Sequence, residues 1–86
     1  MSIIRNFIDD MKASSTSNYV KEACDVVLFY MDNCKINCEK DILFYLIRLQ
    51  YRLKQNPKRS VADNPRFMEM LSTYNIIEKE VRRFIG

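Results

Sequence analysis

Residues 38–57, CEKDILFYLIRLQYRLKQNP, decide how this chain folds. At 100° per residue, Ile42, Leu43, Leu46, Leu49 and Leu53 fall on one side of a helix, while Phe44, Ile47 and Tyr51 fall roughly opposite. Asn37 is placed to cap the start, Glu39 and Asp41 stand in the first turn, and Arg52 and Lys54 stand in the last. That charge order suits the backbone dipole, and Pro57 stops the run. The expected element is a helix from about Cys38 to Gln55 with two apolar stripes, one more than a bundle helix needs.

Before it, Asn33-Cys34-Lys35-Ile36-Asn37 reads as a connection whose two Asn residues are expected to take the left-handed geometry that glycine would otherwise supply. Upstream again, Thr16 or Ser17 can cap a helix running to about Asn33. Val20, Ala23, Cys24, Val27, Tyr30 and Met31 face inward, and Leu28 and Phe29 interrupt its polar stripe. A first helix over residues 3–12, with Ser2 as cap, carries Ile3, Ile4, Phe7, Ile8 and Met11 at helical spacing. It is short, and so is expected to pack loosely or to exchange onto a neighbouring molecule.

Downstream of Pro57 and the link Lys58-Arg59-Ser60-Val61-Ala62, Asp63-Asn64-Pro65 reads as a cap followed by proline at a first helical position. The fourth helix is expected over 65–85, with Phe67, Met70, Leu71, Tyr74, Ile77, Val81 and Ile85 as its stripe. Four amphipathic segments joined by short links predict an all-α fold, a small antiparallel bundle of about four helices spanning residues 1–86 as one domain.

Composition agrees. In 86 residues, 48% are hydrophobic and 29% charged, with one Gly and two Pro; this is too apolar for disorder and too poor in turn residues for a many-stranded β fold. The absence of His removes the usual neutral-pH base and the Ser-His and Cys-His nucleophile pairs. The only glycine, Gly86, leaves no phosphate-cradling loop. Adjacent acids such as Asp9 and Asp10 diverge on a helix and make poor acid/base partners. The chain is therefore expected to be non-enzymatic, with no catalytic residues, no cofactor and no small-molecule substrate.

Three cysteines, Cys24, Cys34 and Cys38, are an odd number with no signal-like stretch before them, so free thiols in a reducing, cytoplasmic or host-intracellular compartment are the simplest reading. A zinc site would need a carboxylate to join all three cysteines, and none is assigned. The longest apolar run, Val26 to Met31, has six residues against the ~20 that a membrane span requires, so no membrane partner is expected.

Function then rests on two surfaces. The second stripe of the third helix must be covered by the first helix, by another subunit or by a partner protein. With Leu28 and Phe29 it gives a candidate protein-binding set of Leu28, Phe29, Phe44, Ile47 and Tyr51, with a homodimer as the simplest way to hide it. Charge supplies the other surface. Residues 1–43 carry five Lys or Arg against seven Asp or Glu, whereas residues 44–86 carry nine against four. Arg52, Lys54, Lys58, Arg59 and Arg66 could form a phosphate footprint, with Tyr51 to stack a base, although no nucleic-acid recognition signature accompanies them. The first expectation is a helical interaction module acting as a regulator, inhibitor or adaptor of a larger protein. The alternative is a small nucleic-acid-binding or transcription-associated factor. Size and composition would suit a phage or viral accessory protein.

Overall fold

The computed structural model describes residues 2–55 and 63–86. Helices α1 (Ser2–Ser14), α2 (Asn18–Asn33), α3 (Glu39–Lys54) and α4 (Pro65–Ile85) account for most of them, and no strand occurs among the described residues. The expected stop at Pro57, the link through Lys58 and Arg59, and the capping side chain of Ser2 lie outside the described residues.

Local chemistry sets the helix starts. Ser17 stands in extended backbone, and its hydroxyl accepts the Val20 N–H at 3.4 Å while donating to Glu69 Oε2 at 2.8 Å, so one side chain both caps α2 and ties it to α4. Asn64 accepts the Phe67 N–H at 3.2 Å, with Pro65 as the first helical residue. At α3 the expectation is corrected: the cap is Cys38, not Asn37. The Asp41 carboxylate reaches back to accept the N–H groups of Asn37 and Cys38 at 2.8 and 3.3 Å, which moves the helix start one residue on.

The two asparagines are corrected as well. No non-glycine residue among those described has a positive φ, and α2 ends by passing directly into extended backbone at Cys34 (φ −104°, ψ 154°). The Cys34 N–H still bonds the Tyr30 carbonyl at 3.0 Å, and the Asn33 side chain donates to the Phe29 carbonyl at 2.9 Å. The helix end is thereby satisfied without a left-handed residue.

Every helix feeds one core. Ile4 and Ile8 come from α1, Ala23, Cys24, Val27 and Met31 from α2, Ile42 and Leu46 from α3, and Met70, Tyr74, Ile77 and Val81 from α4. Thr73 is the buried polar residue among those described; its hydroxyl donates to the Glu69 carbonyl at 2.8 Å, so its burial leaves no orphan. The first helix is not loose, contrary to expectation. Ile4 and Ile8 are fully buried, and Arg5 pairs with Asp32 while Lys12 pairs with Asp25, so α1 runs antiparallel along α2. The most extensive helix contact joins α3 and α4, and α1 packs on α2 and α4. None of the helices described is long and apolar enough to cross a membrane.

Candidate interaction surface on the outer face of α3

With Ile42 and Leu46 in the core and Leu43, Leu49 and Leu53 packed against it, the inner stripe of α3 is used up. The outer stripe stays open. Phe44, Ile47 and Tyr51 are exposed by 58, 48 and 62%, at i, i+3 and i+7 on one helix face. Neither α1 nor any other described element covers them. Phe29 on α2 is 60% exposed, whereas Leu28 is half-buried and packs against the core.

A run of four aromatic rings connects the two helices. Phe29 meets Tyr30 edge-on (6.1 Å between centroids, 82°), Tyr30 stacks on Tyr45 (4.9 Å, 24°), and Tyr45 meets Phe44 edge-on (5.6 Å, 81°). Such arrangements let rings pack with complementary charge distribution. They place the exposed Phe29 and Phe44 at the two ends of a ladder whose middle rungs are half-buried. The Arg48 guanidinium lies 5.9 Å above the Phe44 ring centroid. A hydrogen bond with Cys34, and then desolvation, raise the Tyr45 phenol above its ordinary value. The sequence reading missed this ladder, though the paired aromatics Phe29-Tyr30 and Phe44-Tyr45 were its visible trace.

On the other side of the stripe, Ile47 and Tyr51 border a groove of about 370 Å³ completed by Gln50, Lys54, Asn75 and Glu78. Gln50 Nε2 donates to Glu78 Oε1 at 2.6 Å and fixes the floor between α3 and α4. Desolvation opposes ionisation of Glu78, but hydrogen bonds from Arg82 and Gln50 outweigh it and hold the carboxyl below its ordinary value.

The cations divide unequally. Arg66, assigned to a phosphate footprint, instead forks onto Glu22 of α2, with Nε to Oε2 at 3.1 Å and a second bond from its terminal nitrogen to Oε1. Arg82 pairs with Glu78 at 2.8 Å and Arg83 with Glu80 at 2.7 Å. Arg48, Arg52, Lys40 and Lys54 form no ion pair among the described residues. Of the proposed footprint, Arg52 and Lys54 remain on α3, and Lys58 and Arg59 lie outside the described residues.

All three cysteines are free thiols: Cys24 is buried, Cys34 half-buried and Cys38 exposed. No group of three or more Cys, Asp or Glu positioned for a metal occurs among the described residues. Comparison of the chain with protein-family models, with curated proteins and with solved structures finds no match.

Proposed function

We propose that this chain is a non-enzymatic helical interaction module that regulates, inhibits or adapts a larger protein by docking the outer face of α3, extended by Phe29 of α2. The observation that supports this reading is the exposure of Phe44, Ile47 and Tyr51 on one face of a helix whose opposite face already serves the core. Large aromatic and aliphatic anchors of this kind dominate interface energies, and each gains from leaving water. The stripe sits on a packed helix, so little conformational entropy is lost when a partner covers it.

Polyanion binding is the weaker reading, because Glu22 engages Arg66 and so draws it out of the footprint. A partner surface, the chain's own or a foreign one, fits the apolar stripe better.

Selection of a phage-displayed library of random 16-residue peptides on the wild-type chain and on Phe44→Asp tests the reading. Docking through this face predicts sequences that the wild type retains and Phe44→Asp loses, with the far-UV spectrum of the variant unchanged. Recovery of the same sequences by both proteins, or of none by either, overturns it.

A further inference from the structure

From the charges around the outer face of α3 we infer that its occupant is an acidic amphipathic helix of a different protein, not a second copy of this chain. This rests on the docking reading and specifies the partner.

Placed by helical angle, Ile47, Tyr51 and Phe44 form the centre of the face. Lys40 heads the stripe, Lys54 borders it on the Ile47 side, and Arg48 and Arg52 border it on the Phe44 side. From Ile42 to Lys54 the helix carries no acid. The two acids of its first turn do not offset these cations: Asp41 accepts backbone N–H groups at the helix start, and Glu39 is also engaged.

Elsewhere on the described surface, five carboxylates are held in internal pairs. Asp32 meets Arg5, Asp25 meets Lys12, Glu22 meets Arg66, Glu78 meets Arg82 and Glu80 meets Arg83. Lys54 lies near enough to Glu78 to lower its proton affinity, but that carboxylate is held by Arg82 and Gln50. These pairs lie on α1, α2 and α4, and Lys40, Arg48, Arg52 and Lys54 of α3 enter none of them.

A two-fold contact would use this same patch on both molecules. It would bring Lys40, Arg48, Arg52 and Lys54 of one copy against the same four of the other, while the nearby acids Glu78, Asp25 and Asp32 are already paired with Arg82, Lys12 and Arg5. Like-charge juxtaposition selects against such a pairing, and opposite charge speeds and orients encounter. The favoured occupant therefore carries Leu or Phe at i, i+3 or i+4, and i+7, with Asp or Glu on both flanks. From Lys40 to Lys54 the face runs about 21 Å, matched by about 14 residues of a partner helix. The step at Phe29 and the groove beside Ile47 supply the ridges and hollow against which such a helix seats.

The test is a displayed library of 16-residue helical peptides with Leu fixed at i, i+3, i+7 and i+10 and Glu, Lys or Ala allowed equally at the flanking positions. The full-length wild type, Phe44→Asp and Arg48→Glu/Arg52→Glu serve as bait. Sedimentation velocity of the wild type and Phe44→Asp, and titration of a 20-nucleotide single-stranded DNA, run beside it. The expected result is Glu enriched at least tenfold over Lys on the wild type, loss of retention on Phe44→Asp, and reversal of the preference on Arg48→Glu/Arg52→Glu. Enrichment of Lys or Ala that still depends on Phe44 overturns the acidic partner and leaves the docking reading standing. Self-association that Phe44→Asp abolishes does the same in favour of a second copy. No Phe44-dependent retention overturns both. DNA binding in place of peptide retention, with Phe44→Asp binding as well as the wild type, assigns the cations to a polyanion and also overturns both.

Discussion

The ring of Tyr30 lies on the ring of Tyr45 with centroids 4.9 Å apart and planes 24° from parallel, an aromatic stack that bridges α2 and α3 beside the exposed face. Cross-helix ring pairs contribute about 0.5 to 1.5 kcal/mol beyond their buried area. A double-mutant cycle with Tyr30→Leu and Tyr45→Leu, read by urea unfolding, is expected to show a coupling in that range. Strict additivity would mean that the stack does not bind the two helices together.

Glu22 and Arg66 make a forked pair between α2 and the first turn of α4, but both side chains keep a third or more of their surface in water. Exposed pairs contribute about 0 to 1 kcal/mol, and salt screens them. Glu22→Gln is therefore expected to lower stability by less than about 1 kcal/mol at low salt, with the difference fading near 1 M NaCl. A loss several times larger, or one insensitive to salt, would place this pair in a dry interior that the fold does not have.

Tyr74 and Glu78 make stability depend on pH at opposite ends of the range. Burial, with help from the Glu22 charge, pushes the Tyr74 phenol from 10.0 up to about 12. The unfolded chain gives up that proton first, so the contribution is complete below pH 10 and is lost as pH rises toward about 12. Glu78 works in the opposite sense. Its carboxyl, held below 4.5 by Arg82 and Gln50 against the pull of desolvation, contributes above that value and loses its contribution as pH falls through its folded pKa. Unfolding midpoints measured across both limbs should flatten on the alkaline side in Tyr74→Phe and on the acid side in Glu78→Gln. Variant profiles parallel to the wild type would contradict these assignments.

Cysteine reactivity reports packing directly. Cys38 stands exposed at the cap of α3, Cys34 is half-buried, and Cys24 is enclosed in the core, with burial and Asp25 pushing its thiol up. Thiolate character and access govern attack. An aromatic disulfide reagent should modify Cys38 first, Cys34 more slowly, and Cys24 only on the timescale of unfolding. Equal rates at Cys24 and Cys38 would show that α2 is not seated against the core.

The four helices were legible because their signals are local. Ser17 before α2 and Asn64-Pro65 before α4 need only neighbouring backbone to act, and the apolar stripes repeat within each segment. The double-faced character of α3 was legible for the same reason, since both stripes are written within residues 42–53. Features that depend on how helices meet were not. A helical wheel puts Leu28 at the margin of the wet side, but a neighbouring element determines that it packs inward. The fork of Arg66 onto Glu22 joins residues 44 positions apart, so the basic run looked freer in the sequence than in the fold. The start of α3 turned on Asp41 reaching back to two amides, a choice between adjacent caps that residue preference alone does not decide.

The central claim is that Phe44, Ile47 and Tyr51 belong to a face the fold leaves open, while Leu46, two residues from Phe44, belongs to its core. Equilibrium urea unfolding of Phe44→Asp/Tyr51→Asp beside Leu46→Ala, followed by far-UV circular dichroism, tests it most directly. The double variant is expected to keep wild-type helicity and to stay within about 1 kcal/mol of wild-type stability. Leu46→Ala should lose about 2 to 5 kcal/mol. If the double variant unfolds, or loses as much as Leu46→Ala, the outer stripe is part of what holds the bundle together and is not a docking face.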